Sequence, residues 1–129
     1  MDETQGKYVS YVTGYSDSYD FPIVLGEGYF IWVKDTTYFT LKGMVPSSPS
    51  TELVKGWNLV GYSGLKPMMA SELLTGVQNA SAIAVSYLDS VTGKYHSFVS
   101  GYTADFDFLV TPGRAYFVYS SANGTLSFG

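Results

Sequence analysis

Apolar and polar residues alternate along this chain in short runs, each closed by Gly, Asp, Asn, Ser or Thr. Period-two alternation bounded by such residues predicts half-buried β-strands. In the first third, strands are expected at residues 8–12 and 28–33, with a turn at Thr13-Gly14 and residues 21–25 leading into a turn at Gly26. Lys34-Asp35-Thr36-Thr37 then turns the chain back into an antiparallel partner over residues 38–41. Residues 1–6 are polar and expected to fray. Residues 44–51 hold Pro46 and Pro49 among serines and read as an extended connector. After a turn at Lys55-Gly56, residues 57–62 form a strand with Trp57, Leu59 and Gly61 on one face. Asn58, Val60 and Tyr62 take the other face. Residues 82–88 and 95–99 predict a hairpin across Asp89 to Lys94, with Ile83, Val85 and Tyr87 sharing a face.

One stretch breaks this rhythm. Met69, Leu73 and Val77 recur every four residues with Leu74 beside them, which predicts one short α-helix over about residues 67–77. Pro67 suits its first turn and Gly76 its end. About three turns cannot persist alone in water, so this helix must dock on a sheet.

The pattern also repeats. Residues 7–42 align with 94–129 without a gap, at a constant offset of 87, and 11 of the 36 positions are identical. Tyr8/Tyr95, Gly14/Gly101, Tyr15/Tyr102, Asp20/Asp107, Gly26/Gly113, Tyr29/Tyr116 and Phe30/Phe117 are among them. Internal repetition defines the structural unit. Residues 1–43 read as the second half of a preceding unit, contributing strands to the main fold, and residues 44–129 as a complete unit. In the second copy the closing turn holds Asn123-Gly124, a strong hairpin signal because both residues tolerate positive φ.

Composition narrows the function. Twelve Tyr, eight Phe and two Trp accompany only 14% charged residues, against about 25% in ordinary globular domains. Seven basic and eleven acidic residues give a net charge of −4, with Lys and Arg scattered singly. Nucleic-acid binding needs clustered cations, so it is not expected. No apolar run approaches the about 20 residues of a helical membrane span. The absence of cysteine removes disulfide and thiolate chemistry.

Gly56-Trp57-Asn58-Leu59-Val60-Gly61-Tyr62, followed by Pro112-Gly113-Arg114-Ala115-Tyr116-Phe117-Val118, resembles a repeat of archaeal and bacterial cell-surface and S-layer-associated proteins. That family opens with a Gly-Trp-Asn-Leu strand and a short helix, continues with a strand pair around an Asp-to-Gly turn, and closes with a Pro-Gly-x-Gly-Tyr-type turn and an aromatic strand. Ala115 departs from the pattern where Gly28 keeps it, and Leu25 stands where a Pro precedes the first glycine. The resemblance implies a non-catalytic ectodomain module, often in tandem, and transfers no catalytic residue.

Candidate chemistry is sparse. His96 is the sole histidine and aligns with Val9, so the repeated scaffold does not require an imidazole there. Gly61-Tyr62-Ser63-Gly64 fails as a nucleophile elbow because Leu65 occupies the last position. Gly26-Glu27-Gly28 fails as a dinucleotide loop because Ile31 replaces the third glycine. Asp17, Asp20, Asp105 and Asp107 suggest calcium, yet only the Asp20/Asp107 position is shared, and an aspartate before a phenylalanine suits turn amides better. Asn79-Ala80-Ser81 and Asn123-Gly124-Thr125 have the form of N-glycosylation acceptors. The aromatic loops around Tyr15, Tyr19, Tyr102 and Phe106 could stack on sugars.

These observations predict an antiparallel β-sandwich or partly open barrel with one short helix, with no catalytic site, cofactor or metal. The expected role is an extracellular structural or interaction module of a prokaryotic surface-layer or adhesin-like protein. Its partners would be neighbouring repeat units or other surface-layer proteins. The alternative is a carbohydrate-binding module whose loop aromatics hold cell-wall polysaccharide.

Overall fold

The computed structural model describes residues 7–38, 40, 42–44, 47 and 49–128. The expected fraying of residues 1–6 and the contributions of Phe39, Leu41 and Pro46 lie outside that set. The fold is mostly β, built from open antiparallel sheets and one short helix. Its strands are β1 (Ser50–Leu53), β2 (Gly56–Gly61), β3 (Met68–Met69), β4 (Val77–Gln78), β5 (Ala82–Asp89), β6 (Lys94–Val99), β7 (Leu109–Val110), β8 (Ala115–Ser120) and β9 (Gly124–Ser127). The helix α1 (Ala70–Thr75) lies between β3 and β4. A four-stranded sheet has the order β2-β8-β5-β6, a three-stranded sheet the order β1-β9-β4, and β3 pairs with β7.

One core serves all three sheets and the helix. Leu53 of β1, Val60 of β2, Leu73 of α1, Val85 of β5, Phe98 of β6, Val110 of β7, Tyr116 and Val118 of β8, and Leu126 of β9 are all buried in it. Alternation sets these positions: along β8, Tyr116, Val118 and Ser120 point inward while Ala115, Phe117 and Tyr119 are half-exposed. The β5–β6 hairpin forms as expected, pairing Asp89 with Lys94. Its turn is held by the Asp89 carboxylate, which accepts the Val91 N–H at 2.9 Å.

Asn58 fixes the corner between two sheets. Its Oδ1 accepts the Val54 N–H at 2.9 Å. Its Nδ2 donates to the carbonyls of Val54 at 2.9 Å, Gly56 at 3.0 Å and Val118 at 3.3 Å. A buried carboxamide satisfied on both ends ties the β1–β2 turn to β8, so the face predicted for Asn58, Val60 and Tyr62 is the core face.

Four expectations need correction. The helix covers Ala70–Thr75 rather than 67–77, because Met68 and Met69 pair with β7 and Val77 and Gln78 pair with β9. Those ladders satisfy backbone groups that further helical turns would otherwise use. Strands β8 and β9 do not form a hairpin: they enter different sheets. Gly124 has no positive φ; it is needed because a Cβ there would lie 2.5 Å from the Gln78 carbonyl and 2.8 Å from the Ala80 Cβ. Asn123 Oδ1 instead accepts the Lys55 N–H at 3.0 Å, bracing the corner. Ile83 does not share a face with Val85, since a register shift against β8 between Ala82 and Ala84 leaves it exposed. Finally, residues 8–12 and 28–33, with Tyr38 and Thr40 of the expected return strand, form no strand ladder among the described residues.

Replacing Asn58 by Leu removes the partners of several buried backbone groups. Urea unfolding should show a loss of about 2–4 kcal/mol, and an unchanged midpoint would contradict the bracing role.

Candidate functional site

The two copies share their local geometry. Each has a 3-10 turn, Asp17–Tyr19 in the first and Ala104–Phe106 in the second. Glycines at matched positions carry matched φ angles: Gly14 and Gly101 at 94° and 93°, Gly26 and Gly113 at 87° and 85°. The hydroxyl of Tyr29 accepts the Val24 N–H at 2.8 Å, and that of Tyr116 accepts the Thr111 N–H at 2.8 Å. Phe21 stacks on Tyr29 at 6.1 Å and Phe108 on Tyr116 at 6.2 Å.

The first copy meets the complete unit along the outer edge of β2. Gly61 N–H donates to the Gly26 carbonyl at 3.0 Å, and Gly28 N–H donates to the Leu59 carbonyl at 3.1 Å. The backbones approach so closely that a Cβ at Gly28 would lie 2.7 Å from both Leu59 Cγ and Ala115 Cβ. A Cβ at Gly61 would collide with the Glu27 carbonyl. This contact buries Leu59, which alternation alone places on the outer face. Beside the joint runs a cleft of about 290 Å³, walled by Val24, Leu25 and Glu27 of the first copy and by Thr51, Glu52 and Asn58 of the unit.

An aromatic row crosses the joint. Tyr8 meets Phe30 at 5.9 Å, Phe30 meets Phe117 at 6.1 Å, and Phe117 meets Tyr95 at 5.9 Å and Trp57 at 6.5 Å. Trp57 in turn meets Tyr119 at 5.2 Å. Sequence reasoning favoured the loop rings and passed over this row. The available signal was identity at exposed positions, since Tyr8/Tyr95 and Phe30/Phe117 persist in both copies without being core in either. The loop rings lie where expected, exposed at the 3-10 turns: Tyr15 is 5.6 Å from Tyr19, and Tyr102 is 5.4 Å from Phe106.

Asp107 and Asp20 each accept the N–H of the following phenylalanine, at 3.0 Å and 2.8 Å. Asp107 does more: its carboxylate also accepts the Ser71 N–H at 3.1 Å and the Ser71 hydroxyl, holding the first turn of α1 from a distant part of the chain. Burial pushes its pKa up, but these bonds from Ser71 and Phe108 prevail and leave it below the ordinary carboxylate value. Asp17 and Asp105 are exposed in the 3-10 turns. Among the described residues no three His, Asp or Glu side chains are grouped to hold a metal.

His96 stacks on Tyr87 at 5.0 Å and lies 3.7 Å from Asp89, with the Arg114 guanidinium 5.4 Å over the same Tyr87 ring. Bonds from the Val91 and Thr92 N–H groups hold Asp89 below the usual carboxylate range. Asn79 is exposed with φ at 64°, and Asn123 is exposed at the β8–β9 corner. No helix among the described residues is long and apolar enough to cross a membrane.

Comparison with known proteins finds no family model, no curated protein and no solved structure significantly similar to this chain.

Two outcomes are expected. Gly28→Val should abolish hydrogen-exchange protection at Gly28 and Gly61 while the β5–β6 amides keep theirs; retained protection would show that close approach is not required. Asp107→Ala should cost about 1–2 kcal/mol near neutral pH, the size of a lost helix cap. Because the folded-state pKa is lowered, that contribution is full above the unfolded value of about 3.9 and is lost as pH falls through the folded one. The two stability curves should therefore converge in acid, as read by urea unfolding at a series of pH values.

Proposed function

We propose that this chain is a non-catalytic, extracellular structural module of a prokaryotic surface-layer or adhesin-like protein, built to join repeat units. The observation that supports it best is the joint itself. The first copy of a local structure that recurs 87 residues later meets strand β2 of the complete unit through a backbone contact that demands glycine on both sides, at Gly28 and Gly61. The joint is made of close backbones at glycines and of apolar rings, which suit mechanical contact between neighbouring units. The surface placement rests on the resemblance carried by the Gly56–Gly61 and Pro112-Gly113 motifs and on the low charge. Asn79 and Asn123 are the proposed glycosylation acceptors, since both are exposed.

A carbohydrate-binding role is the second reading, favoured by the recurrence of an exposed ring pair in each copy. The larger aromatic row suits it less well. Trp57 stands at 89° to Phe117 and 76° to Tyr119, so the rings pack edge to face and offer no flat run for successive sugars.

Protease treatment of intact source cells, followed by mass spectrometry, tests the first reading. Peptides from this chain should appear before lysis, and their release only after lysis would overturn it. Titration with wall polysaccharides, followed by tryptophan fluorescence, should leave the spectrum unchanged; a saturable shift lost in Tyr102→Ala would favour the second reading instead.

A further inference from the structure

The side chains that make the core of the complete unit have open counterparts in the first copy. Phe98 is 6% exposed and its counterpart Tyr11 is 42% exposed. Val110 and Val118 are fully buried, while Ile23 and Ile31 stand 71% and 62% exposed. Ser120 is buried and Val33 is exposed. These positions are apolar in the first copy, yet water covers them. Exposed apolar side chains at positions whose counterparts are core mark a contact surface.

What covers the equivalent face in the complete unit is visible. Strands β2 and β5 take both edges of β8, and Leu53 of β1 and Leu73 of α1 pack in the core with its inward side chains. All of them come from the first half of the unit or the loop that ends it. The polar fittings agree. Asp107 spends its carboxylate on Ser71 at the start of α1, whereas Asp20, in the same local bond to its own phenylalanine, has no second donor among the described residues.

We propose that residues 7–38 are a docking face for the first half of another repeat unit, a segment with the chemistry of Ser50 to Asp89. On docking, residues 28–33 become the central strand of a second sheet, and Asp20 caps the incoming helix. This deepens the module reading and rests on it. The joint does not obstruct docking, because it uses the Gly26 carbonyl and the Gly28 N–H. The equivalent edge in the complete unit uses the Gly113 N–H and the Arg114 carbonyl against Tyr62, a different pair of groups. The 3-10 turn, the left-handed glycines and the tyrosine clamp are already in their docked form, so little local ordering remains to oppose association.

The test extends the full chain with a second copy of residues 44–93 placed ahead of Lys7. Amide exchange at residues 29–33 should slow by about 100-fold or more, as expected for backbone drawn into a ladder. Ile31→Asp should abolish that slowing in the extended chain while leaving the original chain as stable as before, since Ile31 is exposed there. Amides of β5 and β6 report in the same sample that the complete unit is folded. Unchanged exchange at residues 29–33 in the extended chain, with the β5 and β6 amides protected, would overturn the proposal. That failure would leave the surface location untouched, because protease accessibility on cells is measured independently.

Discussion

A strand with large side chains on both faces is stable only when ladder partners flank it and something covers each side. Strand β8 is such a strand, and the complete unit is arranged to meet its demand. Strands β2 and β5 take its edges, the shared core takes Tyr116 and Val118, and the outer rings take Phe117 and Tyr119. The other elements are placed by that requirement. The helix is short because its flanking residues are drawn into β3 and β4, and β9 leaves for another sheet because both edges of β8 are already occupied.

Two polar residues hold the halves of the unit in register. Asn58 joins the β1–β2 turn to β8, and Asp107 joins the end of the 3-10 loop to the start of α1. Both act across long stretches of sequence in places where an unsatisfied backbone group would be costly. Apolar packing among rings and branched chains tolerates small slips, but these bonds do not. The core thus supplies the driving force, and the two side chains specify which surfaces meet.

The two copies form an internal experiment. With a similar sequence pattern, they agree in glycine angles, 3-10 turns, tyrosine clamps and stacked rings. They differ in nonlocal pairing, since the second copy has ladders and a core where the first has an edge contact and exposed isoleucines. Local conformation follows from the residues themselves; strand formation requires a neighbouring strand to bond with. The joint of Gly26 to Gly28 with β2 places the first copy beside a completed sheet.

Much of this was legible in the chain. Alternation and turn residues determined that the protein is mostly β with one short helix, and the 87-residue offset determined which segments adopt the same local shape. Those features arise from interactions within a few residues, so a linear reading reaches them. The tertiary structure alone decided that Asn123-Gly124 is a corner between sheets, that Ile83 faces outward at a register shift, and that an aromatic row separate from the loop rings runs from Phe30 across β8 to β2. It also decided that Gly28 and Gly61 are glycines for closeness rather than for turning. Each of these depends on which distant backbone lies alongside, and that pairing is set by the collective burial of the core rather than by any neighbouring residue.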